Sequence, residues 1–402
     1  MNNLLTLKKS DTIVLSSSFM LGLAQILLWG GSFFILTILA EPIMKDTGWS
    51  QQYVYGSFSL ALMVSGLLSP KIGKFIHSLD KNIMLLYAGV VMGVGLITIG
   101  LAQNIYFFIL GWAIIGIAMS MGLHDALFAS LGKKYGMQAS QFIIQITLIS
   151  GFVTTIIWPI LTYLVSTYGW RITCFIYAIA LIVFIVPIHY LTIYTNGRTE
   201  SIKNDLNKLE GESISVTSNK SVYYLLLINF TIGSILMTGL YVHLIDILTN
   251  KNISLKEAIG ISALLGPCQV GVRVLDIIFS KKTPIVTAVI SSILVFSGLL
   301  ILLFSPEISF LGIAFFGFGN GMRSILRGTL PLWIYGSDSY ASIMGQLARF
   351  PLIAQALTPF IGGLIIQYFD ITYFLEFLCG LAVLNILIMF ILKKQVFQVR
   401  NT

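Results

Sequence analysis

The chain has 402 residues, 56% of them hydrophobic and 10% charged, with a net charge of +8. A soluble domain carries about 25% charged residues, so too few polar side chains are present here to cover a water-facing surface. The composition excludes a soluble enzyme, a secreted disulfide scaffold and a disordered chain, and leaves a polytopic membrane protein. The 24 Lys and Arg outnumber the 16 Asp and Glu, but they fall in pairs between apolar runs with no aromatic-interleaved basic patch. No nucleic-acid partner is expected. Cys174, Cys268 and Cys379 each stand alone in an apolar run. They read as small packing residues, with no metal site implied.

A helix needs about 20 apolar residues to cross a bilayer. In chain order such runs are Ser16–Ala40, Tyr53–Leu68, Ile83–Leu101, Ile105–Leu131, Phe142–Ser166 and Arg171–Tyr194. The first carries Lys8 and Lys9 before it and no small-residue cleavage site after it, so it reads as a retained span. The polar stretch Thr195–Ser221 follows, too short for a domain, and reads as a flexible connector. Beyond it come Tyr223–Leu248, Leu255–Phe279, Ile285–Phe304, Phe310–Tyr335, Ala341–Phe369 and Ile371–Leu392. The expectation is an all-α membrane protein of twelve transmembrane helices in two six-helix halves, residues 1–194 and 222–402, joined by a linker over 195–221. Of the 24 basic residues, 16 fall on the side that carries the linker and both termini, and 4 on the other. The positive-inside rule then makes both termini and the linker cytoplasmic.

The two halves repeat. Span four carries Leu110-Gly111-x-Ala113-x-x-Gly116 and then Met121; span ten carries Leu311-Gly312-x-Ala314-x-x-Gly317 and then Met322, an offset of 201 residues. Tyr135-Gly136 and Tyr335-Gly336 continue the match, as do Pro159 and Pro359. Parallel repeats of this kind place a binding site near the bilayer midplane. Gly317-x-Gly319-x-Gly321 neither follows a strand nor opens a helix, so it reads as close helix packing and not as a nucleotide loop.

At this point the chain resembles the major facilitator superfamily, in topology over its whole length and locally in sequence. The loop after span two reads Gly73-Lys74-Phe75-Ile76-His77-Ser78-Leu79-Asp80-Lys81. The family pattern there is a Gly, an acidic residue four positions on, and then basic residues. His77 stands in place of the acid and Ser78 where an Arg is common, so the usual gating salt bridge is not implied in this half. Its counterpart after span eight, Val272-Arg273-Val274-Leu275-Asp276, keeps the acid. Drug–proton antiporters of the superfamily carry an Arg early in span four, where this chain has Trp112. Their GPxxGG-like run in span five is here Trp158-Pro159-Ile160-Leu161-Thr162, and Pro359-Phe360-Ile361-Gly362-Gly363 stands in span eleven instead. With Gly48-Trp49-Ser50 after span one, the chain is similar to bacterial monocarboxylate and oxalate–formate-like porters. The resemblance implies the bacterial inner membrane as location.

The intramembrane charges carry the functional expectation, because an ionised group at the bilayer centre costs about 2.5–3.5 kcal/mol on insertion scales. Arg323 lies about halfway along span ten at ~1.5 Å per residue. Arg327 follows one turn on, on the same face, and Asn320 shares it approximately. One reading is a cationic floor for an anionic solute; the other is that each Arg pairs within the scaffold. In span four His124-Asp125 matches the depth of Arg327 through the repeat. In the resembled fold spans four and ten face one another, so Asp125 would pair with Arg327, or with Arg349 of span eleven. That pair is either a gate and proton-coupling site or a permanent bridge. Gln25, Trp29 and Ser32 share a face of span one, Gln25 and Trp29 reading as cavity lining or as packing. Arg273 and Asp276 read as part of the loop network. Tyr241-x-His243-x-x-Asp246 ends span seven, with His243 titratable near neutral pH.

The expected function is secondary transport of a small organic anion by alternating access, coupled to protons. The partners are a small solute, the lipid bilayer and protons, with no cofactor and no ATP. The alternative is an exporter of a drug, siderophore or other amphiphile, which the 12% aromatic content favours. An intramembrane enzyme or a sensor is more remote: the chain has no HExxH, no Ser/His arrangement on neighbouring faces and no long soluble extension.

Overall fold

The computed structural model describes residues 2–78, 83–194, 220–279 and 283–401, with side chains for 15–78, 83–193, 220–275 and 283–398. The loop residues 79–82, most of the linker and the side chain of Asp276 lie outside the described residues. Among these no strand occurs, and helix lies under each of the twelve apolar runs. The helices are α1 Asn2–Trp29, α2 Ile35–Thr47, α3 Gln51–Ser78, α4 Ile83–Gly100, α5 Ile105–Gly122, α6 His124–Tyr135, α7 Ala139–Ser150 and α8 Val153–His189. Then come α9 Lys220–Asn250, α10 Leu255–Ser262, α11 Leu265–Phe279, α12 Pro284–Phe304, α13 Ser309–Tyr335, α14 Tyr340–Tyr368 and α15 Ile371–Asn401.

Several apolar runs are broken where the sequence suggested one continuous span. A π-helical turn, Gly30–Phe34, joins α1 to α2. Leu123 is extended (φ −75°, ψ −179°) and separates α5 from α6. The break follows Gly122, a poor helix former. The freed Gly122 carbonyl is taken by the Gln25 amide at 2.8 Å. Between α10 and α11 the helix stops just before Gly266-Pro267, where proline lacks an N–H and crowds the preceding turn. Gly169 (φ +77°) divides α8 at the expected boundary of spans five and six, a left-handed conformation that favours glycine.

Helix starts follow local chemistry. Asn104 Oδ1 accepts from the Phe107 amide at 3.0 Å to cap α5. Ser254 and Glu257 form a reciprocal capping box on α10. By length and hydropathy, nine continuous helical stretches among the described residues qualify to cross a bilayer. One of them, Ile105–Ile193, contains three of the twelve runs. α13 is long enough but is not among the nine, because Asn320, Arg323 and Arg327 lower its hydropathy.

Two compact units emerge: Met1–Ser213 with Gly336–Arg349, and Ile214–Tyr335 with Phe350–Thr402. Within lipid there is little hydrophobic force between helices, so small residues that admit close backbone approach decide which pairs pack. In the first unit Gly95 of α4 and Gly111 of α5 meet. A Cβ on either would lie 3.0 Å from the other's carbonyl oxygen. In the second unit Gly298 of α12 and Gly312 of α13 do the same, at 2.6 and 3.0 Å. Gly116 presses α5 onto Ala61 of α3, and Gly317 presses α13 onto Cys268 of α11. The positions matched by the sequence repeat therefore perform the same packing in each unit. The glycine run of α13 divides between two neighbours: Gly317 and Gly321 face α11, while Gly319 faces Ser291 and Val295 of α12.

In the first unit two adjacent lysines finish helix ends. Lys133 Nζ donates to the carbonyls of Ile76 and His77 at 3.0 and 2.7 Å. Lys134 Nζ donates to those of Thr192 and Ile193 at 3.0 and 2.7 Å. The α3 end that lacks its acidic loop residue is thus held through backbone carbonyls, the negative pole of the helix. The three cysteines are free thiols, two of them buried.

Candidate functional site

α13 brings Arg323 into the second unit against α9. Its Nη2 donates to Ser234 Oγ at 3.4 Å, and Gly233 supplies the space, since a Cβ there would lie 2.1 Å from Nη1. Arg323 lines a cavity of about 20 Å³ built by α9, α12, α13 and α15. Its polar wall holds a hydrogen-bonded chain. Asn229 Nδ2 donates to Asn385 Oδ1 at 2.8 Å, Asn385 Nδ2 to Ser292 Oγ at 3.4 Å, and Ser292 Oγ to the Ala288 carbonyl at 3.0 Å. Phe230, Leu236, Phe316, Leu326 and Leu330 supply the apolar remainder. Arg323 is the one charged residue among the lining, and no carboxylate of the described residues stands within ion-pair distance of it.

Asn320 lines the same cavity and donates through Nδ2 to the Tyr241 hydroxyl at 3.0 Å. Gln269 Nε2 donates to that hydroxyl too. Arg273 of α11, only 7% exposed, and Arg323 both lie close enough to act on Tyr241 electrostatically. The structure therefore brings Arg323 and Asn320 together, with Arg273 nearby. Arg327 is partly buried on α13, one turn beyond Arg323. His243 is buried at 8% exposure, its ring 5.1 Å from that of Phe374, with Gly362 beside its Nε2.

The first unit holds the other candidates. Gln25 is fully buried. Its Nε2 donates to the Gly122 carbonyl and its Oε1 accepts from Trp29 Nε1 at 3.2 Å. Gln25 is thereby committed to holding Trp29. The Trp29 ring lies 5.1 Å from His124, whose ring stacks on Phe128 and whose Nε2 is 3.2 Å from Ser150 Oγ. From Trp29 a row of rings runs through Phe33, Phe58 and Trp112 to Phe108 and Trp49, each 5.2–6.4 Å from the next. Asp125 does not join this row. It lines a smaller cavity of about 10 Å³ with Ser69, Gly73, Ser120 and Gly345. There α3 and the first turns of α14 approach so closely that a Cβ on Gly345 would lie 2.5 Å from the Ser69 carbonyl. Tyr340, fully buried, fills the notch left by Gly132. Arg349 belongs to the same unit as Asp125 and is exposed, whereas Arg327 belongs to the other.

Asn229, Asn385, Ser292 and Gly233 were not among the residues the sequence singled out, which were the intramembrane charges together with Asn320, Gln25 and Trp29. For Asn229 and Asn385 the signal was present as single amides within apolar spans seven and twelve.

A family model for the Major Facilitator Superfamily matches residues 21–348. No curated protein matches the chain. Among solved structures it is similar to the proton:xylose symporter XylE bound to 6-bromo-6-deoxy-D-glucose, at 14% identity and a TM-score of 0.68, covering 94% of this chain and 95% of that one. It is similar to the human organic anion transporter MFSD10 (TETRAN), at 13% identity and a TM-score of 0.71, covering 94% and 99%. The third is the transporter FucP in the outward conformation, at 12% identity and a TM-score of 0.71, covering 94% and 98%. At these identities the likeness shows the fold. The family match spans most of the helices described above, and the chain belongs to the Major Facilitator Superfamily.

Proposed function

We propose that this transporter moves a small organic anion across the membrane by alternating access, coupled to protons. The observation that carries the reading is Arg323. A guanidinium stays charged under all ordinary conditions, it sits in the middle of a membrane helix, and its cavity wall offers amides and hydroxyls but no carboxylate. An anionic solute supplies the missing charge. Asn320 is held beside it through Tyr241, Arg327 extends the positive face, and Trp29 with its Gln25 brace offers an aromatic surface in the first unit. In this reading Asp125 and His124 serve proton coupling and gating, with Arg349, Arg273 and Asp276 in supporting roles. The moving bodies are residues 1–194 and 222–402 joined by the linker 195–221. The basic residues, 16 against 4, support cytoplasmic termini in a bacterial inner membrane. Two of the structural neighbours are described as a proton:xylose symporter and an organic anion transporter; the first matches the proposed coupling, though its sugar is neutral, and the second the proposed solute class.

The test is uptake and ligand-induced thermal stabilisation with a panel of organic anions. Arg323→Ala abolishes both while leaving the folded yield intact, because no described carboxylate is stranded by its loss. Arg323→Lys rescues poorly, since an ammonium lacks the planar fork that grips a carboxylate. Full transport in a well-folded Arg323→Ala protein refutes the reading. The aromatic row of the first unit favours a second reading, export of an amphiphile. Stabilisation by apolar cations or neutral amphiphiles in that same panel selects it.

A further inference from the structure

We infer that the Arg323 cavity is a binding site for one small inorganic anion, chloride in a chloride-containing medium. The inference deepens the reading of Arg323 as an anion site. The inorganic ion holds the place in the conformation described here, and an organic carboxylate replaces it when the cavity widens.

Three observations converge. The first is charge. Arg323 is the one ionised group on the wall, and its protein bond is a 3.4 Å contact to the neutral Ser234 hydroxyl, at the long limit for a hydrogen bond. A charge midway along a membrane helix, only partly open to solvent, is stabilised by a counter-charge, and the described carboxylates do not provide one. The second is size. About 20 Å³ admits one water-sized particle. The pocket itself holds little more than that, and a water molecule would fit but carry no charge. The third is construction. Gly233 leaves the guanidinium room to lie flat against α9, while the Asn229–Asn385–Ser292 chain fixes neutral dipoles opposite. Phe230, Phe316, Leu326 and Leu330 line the remainder, an apolar surround that lowers the local dielectric around both charges. A cation is excluded by Arg323 itself, and an apolar ligand by the charged guanidinium it would have to desolvate.

The test uses the purified full-length chain in detergent, with sodium chloride replaced stepwise by sodium methanesulfonate at constant ionic strength. In the unsubstituted protein the unfolding temperature rises with the logarithm of chloride concentration, as binding to the folded state requires, and bromide substitutes for chloride. Arg323→Gln loses the response and, without chloride, unfolds at no lower temperature than the unsubstituted protein, because the uncompensated charge has gone. Gly233→Ala keeps the charge but displaces it from its seat, and loses the response too. Crystals grown in bromide show an anomalous peak inside the cavity. A flat chloride dependence in the unsubstituted protein overturns the inference, as does an equal response in Arg323→Gln or a retained response in Gly233→Ala. The two proposals fail separately. Arg323-dependent transport of an organic anion without any halide response overturns only the inorganic site. A halide response with transport unaffected at Arg323→Gln overturns only the reading of Arg323 as the substrate contact.

Discussion

Gly298→Ala isolates the packing that holds the cavity's walls together. The added Cβ would lie 2.6 Å from the Gly312 carbonyl oxygen and 2.7 Å from the Phe316 amide nitrogen. Ordinary contact starts at 3.4 Å, so α12 and α13 must part by about 0.8 Å, since overpacked cores relieve such clashes through backbone shifts. Both atoms belong to the backbone, and no rotamer change relieves them. The expected cost sits in the upper part of the overpacking range, about 2–3 kcal/mol. Gly95→Ala, its counterpart in the first unit, is the internal control. There the closest atom is Ile115 Cγ1 at 2.6 Å, a side-chain carbon, and the backbone contact to Gly111 is a longer 3.0 Å. It should cost about half as much, near 1–1.5 kcal/mol. Gly363→Ala meets nothing within 4 Å and should be neutral. Thermal unfolding of the three purified variants in one detergent orders them. A Gly95→Ala loss equal to or larger than that of Gly298→Ala refutes the argument that backbone contact sets the cost.

Other variants test separate parts of the structure. Asp125→Asn should lose accumulation under a pH gradient yet retain substrate exchange in vesicles without one; loss of both modes with a lowered unfolding temperature makes Asp125 scaffold. Gln25→Leu strands the Gly122 carbonyl and the Trp29 indole N–H and should destabilise by about 2 kcal/mol or more, read by thermal unfolding and by a shift in tryptophan emission. Lys133→Met removes the donor to the Ile76 and His77 carbonyls and should cost about 1 kcal/mol; proteolysis near residues 79–82 should quicken.

Spans and repeat were legible because both rest on patterns along the chain. Apolar length is set by bilayer thickness, and the Gly111/Gly312 and Gly116/Gly317 matches name the close contacts directly. Helix breaks were less legible. The break at Leu123 depends on Gln25 reaching across from α1 to take the Gly122 carbonyl, a partner 97 residues away that no local pattern announces. Arg323 was visible as a charge in an apolar run. Its surroundings were not, because Asn229 and Asn385 are 156 residues apart and become one polar wall only when α9 and α15 pack. Gln25 shows the opposite case: a polar residue on the expected face whose hydrogen bonds are spent within its own unit.

The repeat also explains why one unit carries the candidate anion site and the other does not. By the 201-residue offset the position matching Arg323 is Gly122. At Gly122 the first unit is neutral and satisfied: the carbonyl accepts from Gln25, and Ala88 and Leu28 close around the missing side chain, a Cβ there lying 2.5 Å from that of Ala88. At Arg323 the second unit inverts the pattern. The small residue moves to the neighbouring helix, as Gly233, and the large charged one sits on α13, leaning on Gly233 and Ser234. Each unit thus joins its span-four or span-ten helix to its first helix at the same register, one through an amide-to-carbonyl bond and one through a guanidinium. The first arrangement closes a helix contact and leaves no charge over. The second closes the same contact and leaves a positive charge in a polar cavity, which is why transport chemistry is sought at Arg323 and helix bracing at Gln25.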